Sequence, residues 1–273
     1  MTPFVTADGL TLDYRDQGQG QAVLCLPGLT RDLRDFDELA TALPSVRLLR
    51  LTPRGRHGSD WDTNHLSYNI PAEAADSVAF LDFLGVEKAV IVGTSRGGLQ
   101  AMVMAATVPD RLAGVVLNDI GPELAPAGLG RIMDYLGVAP RAKTLADLVA
   151  GLRANMGAGF PKLSDETWAK LAQRWYDVGD SQIGLTYDPK LRDAVIAQSA
   201  TPAPDLWPFF DMLPEALAVI RGENSDLLSA ESLAKMKARR PSLITAEVPD
   251  RGHVPFLDEP ESLAAIHTVL ERL

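Results

Sequence analysis

Short apolar runs alternate with helical patterns through most of this chain, and that alternation limits its fold more than any other feature. "AVLCL" and "VRLLRL" read as buried strands, and "LTLDY", with its polar alternation, as a half-exposed one. Between the first two, "DLRDFDELATAL" sets Leu33, Phe36, Leu39, Ala40 and Leu43 at helical spacing behind a capping Asp32. A helix is predicted from about Pro71 to Leu84, with proline in its first turn. The strand "AVIV", a helix after "GTSRGG" and the strand "GVVLN" follow. Strand, helix and strand in repeating order predict a mostly parallel sheet with helices on both faces.

The alternation breaks once. From Gly121 to Leu213 the chain shows helical stretches ("TLADLVAGLRANM", "SDETWAKLAQRWYDV", "KLRDAVIAQSA") and no convincing strand. Proline-rich segments bound this region, "GPELAPAG" on one side and "ATPAPDLWPFFDMLP" on the other. The α/β pattern then resumes with "ALAVIRG", "LSAESLAKMKA", "SLITAEV" and "EPESLAAIHTVLERL". The expectation is a core domain from residues 1–120 and 214–273, interrupted by a helical cap at 121–213. The cap carries nine of the 17 aromatic residues, among them Trp175 and Trp207, and most are expected to pack its own small core. Some are expected to line an apolar pocket between cap and sheet.

At 273 residues the chain is long enough to bury a sizeable core. Its formal net charge of −10 argues against nucleic-acid or anionic-membrane partners, which attract basic surfaces. The single cysteine, Cys25, lies in an apolar run and reads as a buried, inert thiol, and Cys/His metal spacings are absent from the sequence. No basic start with an apolar stretch marks a secretory signal, and no run approaches the roughly 18 apolar residues of a membrane span. These features lead us to expect a cytoplasmic monomer or homodimer acting on a small molecule, with neither cofactor nor metal.

Within "GTSRGG", Gly93-Thr94-Ser95-Arg96-Gly97 fits G-x-S-x-G between a predicted strand and a predicted helix, the context this motif requires. A strand turning directly into a helix lifts the serine Oγ clear of the sheet, while the flanking glycines have no Cβ to clash. Serine needs a base to take its proton. His57 and His65 read as loop residues and His267 shares a helical stripe. His253, in the loop "PDRGHVPFLDEP" between the last strand and the last helix, is therefore the expected base. The acid that orients it is expected to be Asp226, after "ALAVIRG". Glu223 in the same loop and Asp119, directly after "GVVLN", are alternatives. Oxyanion donors are expected from the Arg96 backbone N–H and, in "LPGLTRD", from the Leu29 N–H beside Gly28. Gly28, Thr30, Trp175, Trp207 and Val254 are the expected substrate-binding residues.

Taken together, the elbow "GTSRGG", the order Ser95, Asp226, His253 and the inserted cap make the chain similar, over essentially its full length, to the α/β-hydrolase superfamily. "CLPGLTRDLRDF", "RGRHGSD", "LNDIGPE" and "RGENSDLLS" resemble its capped bacterial serine-esterase branch. The resemblance implies an eight-stranded sheet and an acyl-serine mechanism without cofactor, acting on esters of small to medium apolar acids or alcohols. Lactones, amides and carbon–carbon bonds are cleaved by the same machinery, and a non-catalytic ligand receptor on the same fold is a second class. This chain departs from the family's pattern in Pro27-Gly28 where many members have His-Gly, in His57 where glycine is usual, and in an acid one residue late after Gly222. It also departs in the bulky Arg96, for which a cap carboxylate, a substrate or solvent are the alternatives.

Overall fold

Neighbouring strands in parallel register form the centre of the molecule. The computed structural model describes residues 2–179, 182–200 and 202–273. The strands β1 (Phe4–Val5) and β2 (Thr11–Leu12) form a separate antiparallel pair, and β3 (Tyr14–Gln17) enters the main sheet. Next come β4 (Ala22–Leu26), α1 (Asp37–Ala42), β5 (Arg47–Leu51), α2 (Ile70–Phe83), β6 (Ala89–Thr94), α3 (Arg96–Thr107) and β7 (Leu112–Asn118). The segment that interrupts the alternation holds α4 (Pro126–Tyr135), α5 (Leu145–Met156), α6 (Asp165–Trp175), β8 (Tyr176–Val178), β9 (Ile183–Leu185), α7 (Leu191–Ser199) and α8 (Trp207–Asp211). The chain closes with β10 (Leu217–Gly222), α9 (Ala230–Arg239), β11 (Ile244–Val248) and α10 (Pro260–Glu271).

The sheet order is β11-β10-β7-β6-β4-β5-β3, parallel except for the β3–β5 pair. Among the described residues seven strands rather than the expected eight are joined, because "LTLDY" splits: Thr11–Leu12 pairs with β1 and only Tyr14 onward joins β5. Both faces of the sheet are covered, and the period of two along each strand divides the core. Leu24, Leu26, Ala89 and Ile91 pack on one side with Phe80, Leu81, Met102 and Met104 of α2 and α3. Val23, Cys25, Val90 and Val92 pack on the other with Phe36, Leu39, Ile266 and Val269. Each Val, Leu, Ile, Phe or Met side chain among these, removed from water, stabilises the fold by about 1.5–3 kcal/mol. Burial also pushes the Cys25 thiol pKa up, which keeps it protonated and unreactive.

The inserted segment has its own core of Leu148, Leu152, Phe160, Trp168, Leu171 and Trp175. The sequence predicts helices alone here, but two short strands form as well. The pattern that makes α6 ends at Trp175, where Tyr176 turns extended (φ −131°, ψ 151°) and β8 pairs antiparallel with β9. Its last part does not belong with the cap-like helices. In α8, Phe210 is fully buried in the core beneath the sheet, beside residues of α3.

Candidate functional site

Ser95 sits between β6 and α3 at φ +50°, ψ −113°, a conformation that costs on the order of 1–3 kcal/mol for a non-glycine residue. The neighbouring glycines make the bend possible. A Cβ on Gly93 would lie 2.6 Å from the Gly97 carbonyl carbon, and one on Gly97 only 2.0 Å from the Leu26 carbonyl oxygen. The turn brings Ser95 Oγ to 2.9 Å from His253 Nε2, and His253 Nδ1 lies 2.7 Å from Asp119 Oδ2. The tautomer with hydrogen on Nδ1 donates to Asp119 and leaves Nε2 free to accept the serine hydroxyl. The three residues therefore form one hydrogen-bonded chain that can draw a proton from Ser95.

The acid in that chain is Asp119, where the sequence pattern favoured Asp226. Strand register explains the difference. In the β6–β7 ladder Thr94 pairs with Asn118, so Ser95 and Asp119 leave adjacent strands side by side. Asp119 is fully buried and left-handed (φ +55°), and accepts from Gly222 N (2.8 Å) and Ser225 Oγ (2.6 Å) as well as from His253. The β10 loop that carries Asp226 thus serves as scaffold for Asp119. Asp226 turns instead to α4, where Arg131 donates Nε to Oδ2 (2.6 Å) and Nη2 to Oδ1 (2.8 Å). Burial alone raises the Asp226 pKa, but Arg131 more than reverses this and holds the carboxyl below its ordinary value. Glu223 accepts from the Asp250 N–H at 3.1 Å and takes no part in the chain.

The loop after β4 runs along the elbow. A Cβ on Gly28 would lie 3.9 Å from Ser95 Cβ, so the backbone on which Leu29 sits is close to the serine. The Leu29 carbonyl accepts from Arg56 Nε at 2.9 Å. Arg96 follows Ser95 in the chain, and its side chain takes none of the expected directions. It is buried against α2, where Nε donates to Glu73 Oε2 (2.6 Å) and Nη2 to Glu73 Oε1 (3.1 Å) and the Tyr68 carbonyl (3.0 Å). The same Glu73 accepts from Arg56 Nη1 at 2.8 Å.

A cavity opens above Ser95 and His253. Gly28, Leu29, Thr30, Thr94, Val254 and Phe256 line it from the core, and Arg131, Tyr135, Met156, Phe160, Trp175 and Tyr187 from the inserted segment. Trp175 donates its indole N–H to Asp35 (3.1 Å), and the Arg31 guanidinium stacks 3.9 Å above its ring. Trp207, an expected pocket residue, lies elsewhere. It packs edge-on against Phe210, and its N–H donates to Glu123, because α8 belongs to the core. Asp35, Arg31 and Arg131 are cavity residues the sequence reading missed. Asp35 carried a signal, since it follows Arg31 by one helical turn immediately after the predicted oxyanion loop. Burial raises its carboxyl pKa to about 6, against the opposing pull of Arg31. Among the described residues no cluster of three or more His, Cys, Asp or Glu is placed to hold a metal, and no helix is long and apolar enough to cross a membrane.

A strained serine on a strand–helix elbow, beneath a cavity closed by an inserted segment, defines an α/β hydrolase. The model of the alpha/beta hydrolase family matches residues 23–266, and the chain belongs to that family. It is 35% identical over 263 residues to the 3-hydroxybutyrate-oligomer hydrolase of Cupriavidus necator, a match covering 92% of this chain and 89% of that one. It is 27% identical over 246 residues to a 2-(acetamidomethylene)succinate hydrolase of Mesorhizobium japonicum (89% and 85% covered). An α/β hydrolase from Novosphingobium aromaticivorans superposes with a TM-score of 0.93 at 41% identity, over all of this chain and 98% of the other. Its relatives being hydrolases supports an enzyme here too.

Proposed function

We propose that this protein is a serine ester hydrolase and that short oligomers of a 3-hydroxy acid are its substrates. The observation that carries the reading is the unbroken contact chain from Ser95 Oγ through His253 to Asp119, at 2.9 and 2.7 Å. In this scheme His253 Nε2 takes the hydroxyl proton as Ser95 attacks the ester carbonyl, and Asp119 stabilises the imidazolium that forms. The tetrahedral oxyanion is received by the backbone N–H groups of Leu29 and Arg96. His253 then protonates the departing alkoxide, and water releases the acid from the acyl-serine by the reverse sequence.

The similarity to a 3-hydroxybutyrate-oligomer hydrolase over nine-tenths of the chain supports the substrate class. So does the cavity, which mixes apolar side chains with the guanidinium groups of Arg31 and Arg131, a lining suited to an apolar ester chain with a carboxylate end. The test compares wild type and Ser95→Ala on 3-hydroxybutyrate dimer and trimer and on p-nitrophenyl esters from acetyl to octanoyl. We expect wild-type turnover of the oligomers and a loss of at least about 10³-fold in the variant. An inactive wild type on every ester, or an active Ser95→Ala, would overturn the reading.

A further inference from the structure

We infer that Arg56, Glu73 and Arg96 form a positioning device for the oxyanion hole, in which one buried carboxylate ties together both donor segments and leaves a positive charge behind them. The inference rests on the reading of the Leu29 and Arg96 N–H groups as oxyanion donors.

The connections are specific. Arg56 holds the Leu29 carbonyl through Nε and the Glu73 carboxylate through Nη1. The tethered Leu29–Thr30 peptide is planar and shares the Leu29 Cα with the peptide that carries the Leu29 N–H. Fixing one plane therefore limits rotation of the other. At the far end, Glu73 grips Arg96 with both oxygens, and the Tyr68 carbonyl and Gln100 complete the shell. Two loops that share no strand are thus set against each other by a single residue of α2.

The composition of the cluster fits a task other than stability. Two guanidiniums face one carboxylate, all three almost wholly excluded from water. Buried ion pairs seldom improve on apolar packing, because desolvation offsets their attraction. The second guanidinium adds that cost without a second counter-charge in the cluster, and among the described residues the buried Arg56 Nη2 has no hydrogen-bond partner. An excess positive charge in a low-dielectric interior does, however, favour a negative charge developing nearby. Placed behind Leu29 and Arg96, it acts when the carbonyl oxygen becomes an oxyanion and hardly at all on the neutral ester. The expected signature is a fall in kcat with little change in KM.

The test uses full-length Arg56→Met, Arg56→Lys and Arg96→Met. It reads kcat and KM on an ester and the rate at which a fluorophosphonate labels Ser95, a reaction that passes through the same oxyanion site. Thermal unfolding reports the folded fraction. Arg56→Met should lower both kcat and the labelling rate by about 10²-fold, with KM within about threefold, as for removal of one oxyanion donor. Arg56→Lys, which keeps the charge, should recover about tenfold of that. A folded Arg56→Met within twofold of wild type overturns the proposal, as does equal loss in the Met and Lys variants in step with unfolding. Should Arg56→Met not fold, Arg96→Met decides: it keeps the Arg56–Glu73 pair, and a rate within twofold of wild type is again fatal. If wild type cleaves no ester, the functional reading falls, while the labelling rates still judge the cluster.

Discussion

Two loops at the carboxyl edge of the sheet each present an aspartate, and the structure uses them differently. After β7 the chain places Asp119 at once, fully buried, with three hydrogen-bond donors converging on its carboxylate. After β10 it runs four residues further to Asp226, half-buried and held by a guanidinium from the inserted segment. Both satisfy the order serine, acid, histidine. Adjacency in the sheet separates them: β7 neighbours β6, whereas β10 lies one strand further out. Ser95 and Asp119 follow residues paired across one ladder, and the Gly222 N–H and Ser225 Oγ of the β10 loop hold the Asp119 carboxylate against His253.

The largest effect that could break this contrast is on turnover. Asp119→Asn should keep the fold but favour the wrong imidazole tautomer, lowering kcat by about 10⁴-fold, the loss seen when such an acid is replaced. Steady-state kinetics on the proposed ester substrates would check it. A loss below tenfold would show that another carboxylate orients His253.

Asp226→Asn should do the reverse. The ion pair with Arg131 is about one-third exposed on each side chain, so its removal should lower stability by only about 1 kcal/mol, or roughly 2–4 °C in Tm. Because Arg131 then loses its anchor at the cavity wall, we expect KM to rise several-fold and kcat to change by less than about threefold. A kcat loss approaching that of Asp119→Asn would mean that the two carboxylates share the role, and the contrast would collapse.

How much of this was readable beforehand follows from the range of each interaction. The alternation of strands and helices, the elbow and its glycines depend on neighbours within a few residues, and the sequence displays them directly. Ser95 and His253 were legible because both lie at strand ends in recognisable turns. The choice between Asp119 and Asp226 was not, since it depends on which strands are neighbours and in what register. Arg96 shows the same limit. Its partner Glu73 lies on another helix 23 residues earlier, and neither residue carries a local pattern that names the other. Trp207 was misplaced because the proline-rich boundary suggested a domain edge, while α8 already packs into the core.

A third carboxylate at the cavity extends the comparison with a smaller effect. Asp35 is held neither as tightly as Asp119 nor in a bidentate pair like Asp226. Burial raises its pKa from the ordinary 3.8 to about 6, and the Arg31 charge and the Trp175 N–H offset this only in part. A carboxyl whose pKa rises on folding binds its proton more tightly in the native state. Its contribution to stability is therefore fully present below about pH 4, declines as pH rises toward 6, and is absent above that. Asp35→Asn cannot ionise, yet its amide oxygen can still accept from Trp175. Relative to wild type, the variant should gain stability between pH 4 and pH 7, on the order of 1–3 kcal/mol, with little further change above. Urea midpoints of both proteins at unit steps of pH would measure it, and parallel curves would show that Asp35 keeps an ordinary carboxylate pKa in the fold.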